Sequence, residues 1–197
     1  MEDIRMKVLT KRYGDITALP PTTACFPAGE TTVLLGPSGC GKTTLFRLLM
    51  GLEKPTGGNV SGVPENISAV FQENRLLPEF SALTNIQLVT GNRVGEEDIF
   101  SLLKSLGLGD WVHKPVKELS GGMERRVAIA RALLYPAELV LMDEPFKGLD
   151  TEMRERIMAL VQHCCRGKTL LLITHDPAEA VFFGGQMLRL GNTMQQG

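Results

Sequence analysis

The chain has 197 residues, 43% of them hydrophobic and 22% charged, which suits one packed domain with an inserted subdomain and excludes intrinsic disorder. With 21 Lys and Arg against 22 Asp and Glu the net charge is -1, so no overall field draws the chain to nucleic acid or anionic lipid. Cys25, Cys40, Cys164 and Cys165 fit neither a disulfide framework nor zinc-site spacing, and the charged start Met1-Glu2-Asp3-Ile4-Arg5 lacks an apolar leader; a reducing compartment, with no secretion and no membrane span, is expected.

In chain order, Thr31–Leu35 is a β-rich apolar run that stops at Gly36-Pro37, and the residues from Lys42 to Met50 read as a helix closed by Gly51. From Gln72 to about Pro136 the pattern is helical, with segments 96–106 and 123–134 broken by Gly91, Gly107, Gly109 and Pro115. A buried strand at 139–142 ends in Asp143-Glu144-Pro145. Residues 150–165 form an amphipathic helix with Ile157, Leu160, Val161 and Cys164 on one face. A last apolar strand, Thr169–Ile173, ends in Thr174-His175-Asp176-Pro177, and Glu179, three residues past Asp176, predicts a capping box. Apolar strands alternating with helices predict an α/β fold with a parallel sheet covered on both faces and a ligand site beyond the carboxyl ends of its strands. The expected organisation is a core of 1–72 and 136–197 with a helical subdomain, 73–135, inserted.

Gly36-Pro37-Ser38-Gly39-Cys40-Gly41-Lys42-Thr43 matches G-x-x-x-x-G-K-[ST], the phosphate loop, between a strand and a helix, and Thr44 follows it. Glycines let backbone N–H groups curl around a phosphate, the helix start adds its dipole, Lys42 supplies a point charge and the Thr43 hydroxyl suits Mg²⁺. Cys40 reads as a small filler. The acidic pair at the next strand end completes the chemistry: Asp143 can hold Mg²⁺ through water, and Glu144 can orient and deprotonate the attacking water.

Leu119-Ser120-Gly121-Gly122-Met123, taken with these elements, resembles the signature of ABC-type ATPases. The resemblance keeps the family's order over nearly the whole chain: Tyr13 in Lys11-Arg12-Tyr13-Gly14, the phosphate loop, Gln72, the signature, Asp143-Glu144, Asp150 and His175. It implies a P-loop NTPase with a RecA-like, mostly parallel core, an N-terminal β region and an inserted helical subdomain, using ATP and Mg²⁺. It further implies that Tyr13 stacks on adenine and that Gln72 links γ-phosphate or Mg²⁺ to the helical subdomain. Ser120, Gly121 and Gly122 would face the γ-phosphate of ATP held by a second copy, Asp150 would cross the dimer interface, and His175 would contact γ-phosphate and steady the water. His113 and His163 have no such frame.

Phe71-Gln72-Glu73-Asn74-Arg75-Leu76-Leu77-Pro78 and Asp143-Glu144-Pro145-Phe146 are similar to importer ATPases of the nitrate, sulfonate and taurine group. That resemblance implies an ATP-dependent homodimer on the cytoplasmic face of the membrane beneath permease subunits, served by an extracytoplasmic solute-binding protein, with no nucleic-acid partner. Leu76, Leu77, Phe80 and Leu83 would line the permease groove. An exporter or lipoprotein-release ATPase is the alternative within the family, and a soluble non-transport ABC ATPase lies outside transport. Met123 stands where many members have Gln, 182–186 lacks the usual Asp-Arg pair, 60–69 is short, and no appended regulatory domain is expected after Gly197.

Overall fold

The computed structural model describes residues 1–191, without the side chain of Asn92; residues 192–197 of the expected core segment lie outside that description. Strands β1 (Ile4–Tyr13) and β2 (Ile16–Phe26) form an antiparallel pair turning at Gly14. β3 (Thr31–Leu35) runs through the phosphate loop into α1 (Lys42–Leu49), and β4 (Gly57–Ser61) returns to pair with β1. β5 (Ile67–Val70) is followed by three helices, α2 (Ala82–Thr90), α3 (Glu96–Ser105) and α4 (Gly121–Leu134). The chain then alternates through β6 (Leu139–Asp143), α5 (Thr151–Cys164), β7 (Thr169–Ile173), α6 (Pro177–Phe183) and β8 (Gln186–Arg189). β2-β1-β4 make a three-stranded antiparallel sheet, and β5-β6-β7-β3-β8 a five-stranded parallel one.

The continuous apolar runs exist because both faces of the parallel sheet are covered. Every residue of β6 and β7 is buried, and successive side chains enter different cores. Leu139, Leu141, Leu171 and Ile173 pack with Ile4, Phe26, Leu45 and Phe46 on the side of the antiparallel sheet and α1. Val140, Met142, Leu170 and Leu172 pack with Val127, Ile129, Phe146 and Ile157 on the side of α4 and α5. Truncating one such leucine to alanine costs about 2–5 kcal/mol, enough to endanger a domain of ordinary stability.

Helix starts follow their caps. Ser120 Oγ accepts from the Met123 amide, so α4 begins at Gly121 rather than at the predicted 123, and Asp150 caps α5 through the Met153 amide. The segment before α2 is folded around Asn85, which is 2% exposed. Asn85 Oδ1 accepts from the Leu77 amide at 2.8 Å, while its Nδ2 donates to the carbonyls of Leu77, Phe80 and Ser81. Leu77 and Phe80 are exposed as the groove expectation requires, whereas Leu83 is buried in the helical core and does not line a surface.

Candidate functional site

Parallel strands place their carboxyl ends on one edge of the sheet, and four of those ends carry the predicted chemistry. β3 delivers the phosphate loop, β5 delivers Gln72, β6 delivers Asp143 and Glu144, and β7 delivers His175. A cavity of about 520 Å³ opens there, lined by Ile16, Thr17 and Ala18, by Ser38, Gly39, Gly41, Lys42, Thr43 and Thr44 of the loop, and by Gln72, Asp143 and Glu144.

The loop is shaped by backbone that only glycine tolerates at two close approaches. Gly41 has φ 102°, and a β-carbon there would stand 2.6 Å from the Ala18 carbonyl oxygen; at Gly36 it would stand 2.5 Å from that of Leu190. Lys42 Nζ folds back over the loop and donates to the carbonyls of Gly36 at 2.7 Å and Pro37 at 2.8 Å. Its ammonium is thus stationed at the mouth of the loop, where a phosphate would compete for it. Cys40 turns away toward a separate cavity lined by Pro20, Thr22 and Leu188, with its Sγ 3.7 Å from Lys42 Nζ.

Thr43 Oγ1 donates to Asp143 Oδ2 at 2.6 Å, joining α1 to the end of β6. Burial pushes the Asp143 carboxyl above its ordinary value, an effect opposed by the Thr43 hydroxyl and by the charges of Lys42 and Arg125. A hydroxyl and a carboxylate in contact, with the Gln72 amide on the same cavity, are hard oxygen donors that fit a magnesium ion completed by phosphate oxygens and water.

Glu144 has a φ of 47°, a left-handed conformation uncommon for a side-chain-bearing residue, held by its N–H donating to the Ile173 carbonyl at 2.9 Å. Its carboxylate meets Lys147 Nζ at 3.2 Å through Oε2 and His175 Nδ1 at 3.3 Å through Oε1. Burial alone would raise this carboxyl, but Lys147 and His175 outweigh it and leave Glu144 below the ordinary glutamate value. The loop carrying His175 is pinned on both sides: Thr174 Oγ1 donates to Glu179 Oε2 at 2.5 Å, and Arg154 pairs with Asp176 at 2.9 Å. Asp176 caps α6 through the Ala178 amide as predicted. Glu179, however, does not close a capping box: the Asp176 amide donates to Thr174 Oγ1 instead, and Glu179 is drawn inward to that same hydroxyl.

Arg125, absent from the sequence expectations, ties these parts together. It is 5% exposed, and its guanidinium donates to the carbonyls of Phe71 and Gln72 and to Asn74 Oδ1 on one side. On the other it donates to the carbonyls of Asp143 at 3.0 Å, Glu144 at 2.6 Å and Pro145 at 3.0 Å. One helix side chain therefore holds the segment after β5 against the segment after β6. The signal for it was present: Arg125 stands on the same helical stripe as Ala128, Ile129 and Ala132, all buried, so a cation occupies a position the helix period reserves for the core.

The remaining predicted residues lie outside the 520 Å³ cavity. Tyr13 ends β1, 45% exposed, with Lys11 Nζ 4.8 Å above its ring, and Ile16 rather than Tyr13 lines the cavity. Gly121 lines a second cavity, of about 230 Å³, with Gln72, Asn74, Arg125 and Lys147. Ser120 and Asp150 are exposed helix caps, and Gly122 follows in the first turn of α4.

A glycine loop between strand and helix, a lysine poised over it, and an acidic pair at the end of the parallel strand next but one define a P-loop nucleotide-binding protein. The family described as ABC transporter matches residues 19–147, and one described as AAA domain, putative AbiEii toxin, Type IV TA system, matches 115–181. The chain belongs to the ABC transporter family, as one of its ATP-binding cassettes. It is 40% identical over 190 residues to the Fe(3+) ions import ATP-binding protein FbpC of Brucella abortus, covering 88% of this chain and 54% of that protein. It is 36% identical over 189 residues to the aliphatic sulfonates import ATP-binding protein SsuB 2 of Pseudomonas syringae pv. tomato, covering 95% and 82%. The chain thus spans about half the length of the iron-import relatives and most of the sulfonate one. Among solved structures, the dimeric bacterial ABC transporter cassette MJ0796 superposes with a TM-score of 0.84 at 33% identity, covering 95% of this chain and 94% of that one. The same cassette is known as a post-hydrolysis dimer bound to ADP and Pi.

Proposed function

We propose that the chain is the ATP-hydrolysing subunit of an ABC importer, working as a homodimer that closes around two ATPs beneath membrane permease subunits. What carries this reading is the separation of the two phosphate-facing elements. The phosphate loop opens on one cavity, while Gly121 at the start of α4 opens on another, so a triphosphate in the loop of one chain leaves that chain's signature free for the triphosphate of a second. The MJ0796 cassette is a dimer, and the FbpC and SsuB relatives are named as import ATP-binding proteins. Peripheral association with the cytoplasmic face of the membrane and an extracytoplasmic solute-binding protein belong to the same reading. No helix among the described residues is long and apolar enough to cross a membrane.

In this mechanism Gly36, Pro37, Ser38, Gly39, Cys40 and Gly41 supply loop backbone, Lys42 leaves its carbonyl partners for phosphate oxygens, and Thr44 lines the cavity beside it. Thr43, Asp143 and Gln72 would hold Mg²⁺, which when bound would offset charge developing on the phosphate oxygens. Glu144 accepts a proton from the attacking water, His175 orients that water and the γ-phosphate, and Tyr13 packs against the base. Ser120, Gly121 and Gly122 offer amides to the partner's γ-phosphate, with Asp150 at the interface. Loss of γ-phosphate removes the contacts that favoured the closed dimer.

Replacing Glu144 by Gln keeps the shape and removes the base, so the variant should form an ATP-dependent dimer that does not turn over. Size-exclusion chromatography with and without ATP measures this; a variant that stays monomeric at saturating ATP overturns the reading. Affinity capture of the trapped form from native membranes in mild detergent then sorts direction. A permease with a solute-binding protein supports import, and a permease alone points to export.

A further inference from the structure

We propose that Lys147 is a latch on Glu144, holding the carboxylate in a resting orientation from which it is released for catalysis. The inference rests on the reading of Glu144 as the general base. The Glu144 main chain cannot supply the motion: its amide is bonded to the Ile173 carbonyl at 2.9 Å, and its own carbonyl accepts from the buried Arg125 at 2.6 Å. Only the side chain is free to turn, and both of its oxygens are engaged, Oε1 by His175 at 3.3 Å and Oε2 by Lys147 at 3.2 Å.

The two contacts differ in where they pull. His175 sits at the end of β7, pinned between the Thr174–Glu179 and Arg154–Asp176 contacts, and belongs to the water-orienting machinery. Lys147 lies outside the phosphate-loop cavity of its own chain, so on the nucleotide held there it acts through Glu144 and is a positioning residue. It lines both the 230 Å³ cavity of Gln72 and Gly121 and a 220 Å³ cavity shared with Glu144 and His175. Glu144 borders the nucleotide cavity as well, and the ammonium holds its Oε2 on the side of these two cavities, whose open space lets the lysine swing off without repacking. The Lys147 side chain is 68% exposed against 15% for Glu144, which makes the pair a light one: exposed ion pairs shift equilibria by up to about fivefold and are weakened by salt.

The test measures ATP turnover of the whole purified chain as wild type, Lys147→Met, Lys147→Arg and Glu144→Gln, across ATP and NaCl concentrations. Freed of the latch, Lys147→Met should raise kcat by about two- to fivefold with KM for ATP within about twofold. Wild type should be activated by moderate salt and the Met variant should not, while Lys147→Arg, which keeps the ion pair, should return kcat and salt response toward wild type. Unchanged or reduced kcat in Lys147→Met, or equal salt responses in the two proteins, overturns the latch. Glu144→Gln separates the two readings. If it retains turnover, the general-base reading fails and the latch with it; if it is inactive while Lys147→Met behaves as wild type, the latch alone fails.

Discussion

The phosphate loop and the corner around Glu144 reach their shapes by different routes. The loop is written in one short stretch: Gly36 and Gly41 permit its backbone, and Lys42 is satisfied by carbonyls five and six residues before it. The corner is assembled from three separated segments, with Glu144 and Lys147 in the turn after β6, His175 after β7 and Arg125 on α4. A locally encoded site tolerates change elsewhere in the chain, whereas an assembled one inherits every weakness of the packing that brings its parts together. Binding should therefore be lost by loop substitutions, and catalysis by distant ones.

The contrast breaks hardest at Lys42. Lys42→Ala removes the one charge the loop points at phosphate without disturbing the corner, and ATP affinity should fall by about 100-fold or more while folding stays intact. Titration with a fluorescent nucleotide beside a thermal melt reads both. Arg125→Ala is the converse. It strands the carbonyls of Phe71, Asp143, Glu144 and Pro145 without their donor, so stability should drop by about 3 kcal/mol or more, lowering Tm by about 6 °C or more. Differential scanning calorimetry checks it, and an unchanged Tm would mean that Arg125 holds nothing together.

The smallest effect lies at Glu179, 6% exposed, whose carboxyl burial pushes above its ordinary value despite the Thr174 hydroxyl. A folded-state value raised above the unfolded one means that its contribution is present in acid and lost as pH rises through the folded value. Glu179→Gln cannot ionise and still accepts from Thr174, so at pH 8 it should melt higher than wild type by about 2 °C or less. The two curves should converge below the ordinary glutamate value of 4.5. Melting curves that run parallel across that range would show that the carboxyl is not strained by burial.

Legibility in the sequence followed the same division. The spans of β3 and β7 match their predicted limits because burial on both faces demands unbroken apolar runs, and the loop was readable from spacing alone. Helix ends moved by a residue or two wherever a cap decided them, as Ser120 does for α4. What the sequence concealed is what depends on contacts between distant segments. Glu179 looked like a capping residue by spacing, yet Thr174 sits nearer in space and takes it. Leu83 looked exposed beside Leu77 and Phe80, but α2 rotates it into the helical core. Arg125 drew no expectation from the sequence, because the carbonyls it serves, after β5 and after β6, lie far apart in the chain and meet only in the fold.

The left-handed backbone at Glu144 sets stability against function at a single position. Glycine or asparagine occupies that region with less strain than glutamate, by roughly 1 kcal/mol for glycine, so the fold would accept either more readily than the residue it has. On the proposed reading of Glu144 as the general base, the easiest route to a hardier chain therefore runs through the side chain that turnover needs. A selection that rewarded only resistance to heat would drift toward a protein that still clasps nucleotide and no longer cleaves it.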